Sequence, residues 1–290
     1  MDRAERPEGN RVGALDWIIV GATVADGSGE PASLRDVAVK DGIIIAVAPP
    51  NTLTDHAGVR VEADGLVLAP GFIDVHTHDD LAVIHDPQML SKLSQGVTTV
   101  IVGNCGISAG AGVLRAGDVP ADPMTLLGSA DRFRYRDFAA YAAAIAAARP
   151  AVNVAALVGH TSLRAVYLDR LDRAATPGEC VAMHADLVAA LQAGAIGLST
   201  GLAYANAAAA PSDEVEVLAT ALGPAGGLYA THLRDETAGI LDALDEAFAV
   251  GRHTHSPVIV SHLKCAGAAN HGRSADVLAA IDAARAGQPI

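Results

Sequence analysis

The hydrophobic positions follow one rhythm up to about residue 67 and a different rhythm after it. Residues 13–70 contain short runs rich in β-branched residues, separated by turn pairs such as Asp41-Gly42 and Asp64-Gly65, and no long helical period. The predicted strands of this segment begin at Trp17, Asp36, Ile43 and Val59. We therefore predict that residues 1–67 form a small antiparallel β-domain.

From residue 68 onward, near-continuous apolar runs alternate with segments of helical period. Such alternation is typical of a parallel sheet covered by helices. The six predicted strands cover residues 68–76, 98–103, 152–159, 195–200, 227–232 and 257–262. The clearest helices cover residues 138–149, 179–193, 212–222, 236–250 and 274–286.

These repeated strand–helix units predict an α/β fold class. We expect residues 68–290 to form a partial TIM-like (β/α) barrel with about six of its eight units, incomplete at its C-terminal end. A dinucleotide-binding fold is disfavoured, because no Gly-x-Gly-x-x-Gly run follows a strand.

Composition narrows the classes of function. The 290 residues are 51% hydrophobic and 18% charged, with a net charge of −13 and only 3% aromatic residues. A nucleic-acid-binding surface needs basic residues and rings on which bases stack, and this chain is poor in both. We therefore predict no nucleic-acid partner.

The sequence also carries signals of cellular location. The three cysteines, Cys105, Cys180 and Cys265, form no even, closely spaced disulfide framework, which favours a reducing compartment. Residues 1–11 are polar and contain no apolar signal core. The uncharged segment 187–212 is interrupted throughout by glycine and polar residues, so we predict no membrane span. A cytoplasmic protein is expected.

Five residues of metal-binding types fall at or just past the ends of predicted strands. His76 and His78 end the first barrel strand, where positions i and i+2 share a face. His232 and His262 end the fifth and sixth strands, and Cys105 lies just past the second. The carboxyl ends of barrel strands build active sites, and imidazole and thiolate are natural zinc ligands. We predict that all five residues line a Zn²⁺ site.

A structural interpretation competes with each of these assignments. A lone histidine in a strand is more often a hydrogen-bonded core or surface residue than a ligand. A lone cysteine such as Cys105 is more often a small buried hydrophobe. The recurrence of histidine or cysteine at four strand ends favours the interpretation of these residues as metal ligands. Cys180 is interpreted as core filler, and Cys265 stays ambiguous.

Several polar neighbours have less specific roles. His160 and Arg164 begin the loop after the third barrel strand and either shape the site or make structural hydrogen bonds. Asp74 and Asp79 flank the histidine pair and are expected to support it rather than to catalyse. Glu236 and its neighbours begin a predicted helix, where acidic side chains complement the helix dipole.

Six segments carry a family resemblance over nearly the whole chain. The segments are Pro70-Gly-Phe-Ile-Asp-Val-His-Thr-His-Asp-Asp, Gln95-Gly-Val-Thr-Thr-Val-Ile-Val-Gly-Asn-Cys-Gly, Gly159-His-Thr-Ser-Leu-Arg, Gly194-Ala-Ile-Gly-Leu-Ser-Thr-Gly-Leu, Tyr229-Ala-Thr-His-Leu-Arg-Asp-Glu and Ser261-His-Leu-Lys. The histidine pair after a short β-domain resembles the amidohydrolase superfamily. The Gly-Asn-Cys-Gly and Ser-His-Leu-Lys segments resemble, more specifically, the N-acyl-D-amino-acid deacylases, or D-aminoacylases.

The resemblance implies roles for particular residues. Cys105, His232 and His262 would hold a tight zinc, and His76 and His78 would line a second, weaker metal position. Lys264 would meet the substrate carboxylate. The family's general acid/base is an aspartate on the eighth barrel strand, which has no counterpart in this sequence, so no catalytic residue is assigned. We expect residues 1–290 alone to be essentially inactive.

The implied function is zinc-dependent hydrolysis of the amide bond of N-acyl-D-amino acids, which are small-molecule substrates. One alternative is hydrolysis of a cyclic amide such as a hydantoin. Many such enzymes bridge two metals with a carbamylated lysine on the fourth strand, and no lysine lies between Lys92 and Lys264. The other alternative is a non-catalytic zinc-binding remnant. The sequence predicts neither the acyl and side-chain preference nor the oligomeric state.

Overall fold

The computed structural model describes residues 15–53, 57–114 and 119–290. These residues form two compact units, one ending at Gly71 and the other beginning at Phe72. The strands of the first unit are β1 (Leu15–Val24), β2 (Ser33–Lys40), β3 (Ile43–Ala48), β4 (Ala57–Glu62) and β5 (Val67–Leu68).

The first unit is a mixed sheet, so the predicted antiparallel arrangement is wrong for two of its strands. The sheet order is β3-β2-β1-β4, with β5 also paired to β1. The β1–β2 and β2–β3 pairs are antiparallel, whereas β4 and β5 run parallel to β1. A turn at Asp64-Gly65 should reverse the chain. Instead, these residues lie between β4 and β5, which both run in the direction of β1. The hydrophobic pattern of a strand does not depend on the direction of the strand, so it could not show that β4 and β5 run parallel to β1.

The second unit contains six parallel strands in consecutive order, β11-β10-β9-β8-β7-β6. They are β6 (Phe72–Asp74), β7 (Val97–Val102), β8 (Asn153–Gly159), β9 (Gly197–Gly201), β10 (Leu228–His232) and β11 (Val258–Val260). The prediction of a partial TIM-like barrel is confirmed. The predicted first barrel strand, residues 68–76, is divided at Pro70, because proline has no N–H group to continue a ladder.

Helices connect these strands. They are α1 (Ala82–His85), α2 (Leu90–Leu93), α3 (Phe138–Ala148), α4 (His160–Tyr167), α5 (Pro177–Gln192), α6 (Ala205–Ala208), α7 (Ser212–Ala219), α8 (Leu222–Ala225), α9 (Ile240–Thr254) and α10 (Ser274–Arg285). Met183 and Leu187 on α5, Leu198 on β9 and Phe248 on α9 are buried in one core between helices and sheet. A capping box between Thr176 and Glu179 fixes the start of α5.

The helix predicted over residues 236–250 begins later than expected, at Ile240. The Asp235 carboxylate accepts hydrogen bonds from the N–H groups of Thr237 and Gly239, which holds this segment in a turn. Within the described part of the chain, no helix is long and apolar enough to cross a membrane.

Candidate metal centre

Residues that follow the first and last strands of the sheet meet at one point. His76 comes two residues after β6, and His262 comes two residues after β11. The Sγ atom of Cys105, three residues after β7, lies 3.2 Å from Nε2 of His76 and 3.5 Å from Nε2 of His262. The rings of His76 and His262 are 5.0 Å apart. The six strands therefore curve enough to bring the two ends of the sheet order together.

The backbone conformation of the Cys105 loop requires its glycines. Gly103 has a φ of +80°, and a Cβ atom there would lie 2.2 Å from the carbonyl oxygen of Leu157. Gly106 has a φ of +76°, and its Cβ atom would lie 2.8 Å from the Gly201 nitrogen. Cys105 itself has a φ of 53°. A non-glycine residue in this region is strained, and such residues concentrate at functional sites.

A second group of donors adjoins the first. The rings of His232 and His262 are 4.3 Å apart. One oxygen of Glu236 lies 3.4 Å from Nε2 of His232, and the other lies 3.1 Å from Nδ1 of His262. The expected helix-dipole role of Glu236 is wrong, because α9 begins at Ile240 and Glu236 is only 8% exposed. Asp235 makes the local turn contacts, which leaves Glu236 free to face the histidines.

The ligand groups that the structure assembles differ from the implied grouping. Among the described residues, Cys105 groups with His76 and His262, and His232 groups with Glu236 and His262. Within each group the candidate ligand atoms lie within 4.8 Å of one another. His262 belongs to both groups. The tight set of Cys105, His232 and His262 stays a prediction.

His78 lies at the edge of this cluster, with its ring 5.5 Å from that of His76. The Nδ1 atoms of His78 and His232 are buried and have no hydrogen-bond partner. Both nitrogens are therefore available to a group other than protein. The donor set of thiol, imidazoles and one carboxylate fits a zinc-like ion.

The protonation states suit binding of a cation. Burial, followed by the charges of His262 and His78, lowers the pKa of His76 to about 4. Burial likewise lowers the pKa of His232 to about 4, despite the opposing effect of Glu236. Both imidazoles are neutral at pH 7 and have a free lone pair. Burial raises the pKa of Cys105 to about 11, although a hydrogen bond with Tyr204 acts to lower it. The thiolate therefore needs a bound cation.

Lys264 lies beside the cluster. Its ammonium group donates a hydrogen bond to Glu236 and lies 3.2 Å from Nδ1 of His262, and its side chain is half exposed. The role of Lys264 toward a substrate carboxylate stays a prediction. Asp74 and Asp79 both form ion pairs with Lys92, at 2.7 and 2.9 Å, and their support of the histidine pair stays a prediction.

His160 and Arg164 form a buried network with Glu214. Nε2 of His160 lies 3.0 Å from a carboxylate oxygen of Glu214, to which Arg164 also donates. The N–H group of Ala175 donates to the other oxygen at 2.8 Å. The structure therefore gives both residues structural contacts. Glu214 follows Arg164 by fifty residues, so no local pattern in the sequence could have indicated the pairing.

Known proteins resemble this chain closely. An N-acyl-D-aspartate deacylase of Alcaligenes xylosoxydans xylosoxydans is 48% identical over 95% of this chain and 54% of its own length. The N-acyl-D-glutamate deacylase of Bordetella bronchiseptica, solved with zinc and a phosphonate mimic of the tetrahedral intermediate, is 43% identical, with a TM-score of 0.89 over 96% of this chain and 57% of its own. A D-aminoacylase variant solved with copper(II) chloride is 45% identical, with a TM-score of 0.90 over 95% of this chain and 57% of its own.

The chain spans about half the length of the curated relatives it matches. Within that span the likeness covers residues of both units, and the partial barrel matches that of the solved D-aminoacylase. Residues 60–284 match the model of the amidohydrolase family. The chain belongs to the amidohydrolase family.

Proposed function

We propose that the protein acts in the zinc-dependent hydrolysis of the linear amide bond of N-acyl-D-amino acids, which releases a carboxylic acid and a D-amino acid, and that residues 1–290 supply the metal ligands and a contact for the substrate carboxylate. The observation that carries the proposal is the position of the Cys105 thiol between His76 and His262 at the carboxyl ends of parallel strands. The relatives at 43–48% identity are named as deacylases of N-acyl-D-amino acids, which supports this substrate class.

We assign the ligands from the resemblance, and His262, which belongs to both observed groups, links Cys105 to His232. Cys105, His232 and His262 would hold the tight ion, and His76 and His78 would line a weaker position beside it. A zinc ion polarises an amide carbonyl and lowers the pKa of a water molecule, which are the two aids that amide hydrolysis needs.

The chain's own residues orient these ligands. Glu236 accepts the Nδ1 proton of His262, which leaves the Nε2 lone pair on the side of Cys105, where it would hold the ion. Lys264 sits close enough to the cluster to exchange its contact with Glu236 for a substrate carboxylate. The cysteines of the described residues are all free thiols, which suits the cytoplasmic location that we propose.

The proposal is tested by the binding of a phosphonate analogue of an N-acyl-D-amino acid, measured by titration calorimetry on zinc-loaded and metal-stripped protein. We expect binding only to the zinc-loaded protein and a preference for the D over the L analogue. The Cys105→Ala variant should lose this binding, and Cys180→Ala, on α5, should keep it. Equal binding with and without zinc contradicts the proposal, and tighter binding of a hydantoin favours a cyclic-amide hydrolase.

A further inference from the structure

The loop that carries Cys105 is held at both ends by one carboxylate. One oxygen of Asp80 accepts a hydrogen bond from the Gly103 N–H group at 3.2 Å. The other oxygen accepts from the Ala109 N–H group at 3.1 Å. Asp80 therefore spans the loop of residues 103–109, at whose third position Cys105 stands.

Asp80 is itself fixed in place. Its side chain is fully buried, and its main-chain carbonyl accepts a hydrogen bond from the Tyr141 hydroxyl at 2.8 Å. It follows His78 by two residues. A single buried side chain therefore ties the segment of His76 and His78 to the loop of Cys105, and these two segments approach each other at the metal cluster.

Other contacts hold the inner side of the same loop. The Ser199 hydroxyl, on β9, donates to the Gly103 carbonyl and accepts from the Gly106 N–H group at 3.0 Å. The loop also contains positive φ values at Gly103, Cys105 and Gly106. A backbone in this conformation persists only when its surroundings enforce it. Asp80 supplies the contacts at the two points where the loop begins and ends.

We propose that Asp80 is a positioning residue, which sets the distance between the Cys105 thiol and the histidines and so the affinity of the site for metal. The inference rests on the proposed function, because it assumes that Cys105 is a metal ligand. It assigns to Asp80 no contact with substrate or metal. Its action passes through the backbone of the Cys105 loop.

The substitution Asp80→Asn tests the inference with the least change in shape. An asparagine side chain keeps one acceptor oxygen but turns an NH₂ group toward the second backbone N–H group, so one end of the loop is released. We expect the affinity for Co²⁺ to fall by about 10- to 100-fold, as for other residues that orient metal ligands. The thiolate-to-cobalt charge-transfer absorption should weaken or shift, since it reports the Cys105–metal contact directly.

Asp36 provides a matched control in the first unit. It is also fully buried, and its carboxylate accepts hydrogen bonds from the N–H groups of Gly21 and Thr52, each at 3.0 Å. Asp36→Asn makes the same chemical change in the same kind of environment. We expect it to leave the Co²⁺ affinity and the charge-transfer absorption of the protein unchanged.

The outcomes separate the inference from the proposed function. The inference alone is overturned if Asp80→Asn keeps an unaltered charge-transfer band and a Co²⁺ affinity within about threefold of the unmodified protein. A threefold loss is smaller than the loss expected for a residue that orients ligands. Absence of the band in the unmodified protein overturns the metal site and the inference together. Should Asp80→Asn fail to fold, amide hydrogen exchange of the unmodified protein decides. Slow exchange at Gly103 and Ala109 supports the inference, and exchange as fast as in exposed turns refutes it.

Discussion

Removal of the Glu214 charge should destabilise the second unit by several kcal/mol. Glu214, on α7, is only 4% exposed and lies against His160 and Arg164, which are fully buried. The substitution Glu214→Gln keeps the size of the side chain but leaves the Arg164 guanidinium buried without a counter-charge. Breaking a buried pair by removing one partner costs about 3–5 kcal/mol.

The pKa of Glu214 gives an independent magnitude. Burial acts to raise this pKa, but the contacts with His160, the Ala175 N–H group and Arg164 outweigh it and lower the pKa from 4.5 to about 2. A shift of this size corresponds to about 3 kcal/mol of stability at pH 7. Because the folded-state pKa is the lower one, this contribution is complete above pH 4.5 and is lost as the pH falls toward 2.

The assay is urea unfolding followed by far-ultraviolet circular dichroism, which detects the helices of the second unit. Fluorescence is unsuitable, because the single tryptophan, Trp17, lies on β1 in the first unit. The control Glu216→Gln, on the same helix, should change the unfolding free energy by less than about 0.5 kcal/mol. The reasoning is refuted if Glu214→Gln also stays within that range at pH 7. It is equally refuted if the difference from the unmodified protein does not shrink between pH 5 and pH 3.

Three further predictions concern the site. Cys105→Ala should lose about one equivalent of zinc, measured by elemental analysis, because it removes the only thiol of the cluster among the described residues. Unchanged zinc content would exclude Cys105 as a ligand. Lys264→Ala should weaken binding of an N-acyl-D-amino-acid phosphonate by at least about tenfold in calorimetry. The loss should be much smaller for an analogue whose carboxylate is amidated, and equal losses for the two ligands would assign Lys264 to the fold. Gly103→Ala should lower the unfolding free energy by more than about 2 kcal/mol, because its Cβ atom meets the Leu157 carbonyl at 2.2 Å, whereas Gly178→Ala, with open space around it, should be close to neutral.

The sequence predicted the architecture of the second unit better than that of the first. Apolar strands alternating with helices indicate parallel pairing directly, because a crossover helix separates parallel neighbours. In the first unit, the alternating apolar and polar residues of β4 indicate a strand but not the direction in which it runs. Pro70 was the missed signal for the division between β5 and β6.

The candidate site was predicted residue by residue, but its grouping was not. Strand ends identify which side chains share a face of the sheet, and His76, Cys105, His232 and His262 do meet there. The contacts of His262 with His76 and Cys105 depend on the curvature of the sheet, which no local pattern reports. Glu236 was missed because an acidic residue before a helix usually serves the helix, whereas here Asp235 holds a turn and α9 begins only at Ile240.

The central claim is that a thiolate and imidazoles of this chain hold zinc at the carboxyl ends of the barrel strands. X-ray absorption at the zinc edge of the zinc-loaded protein tests it most directly. We predict one sulfur neighbour at about 2.3 Å, with the remaining neighbours being nitrogen or oxygen at about 2.0–2.2 Å, and loss of the sulfur neighbour in Cys105→Ala. A zinc environment of nitrogen and oxygen alone in the unmodified protein would contradict the account.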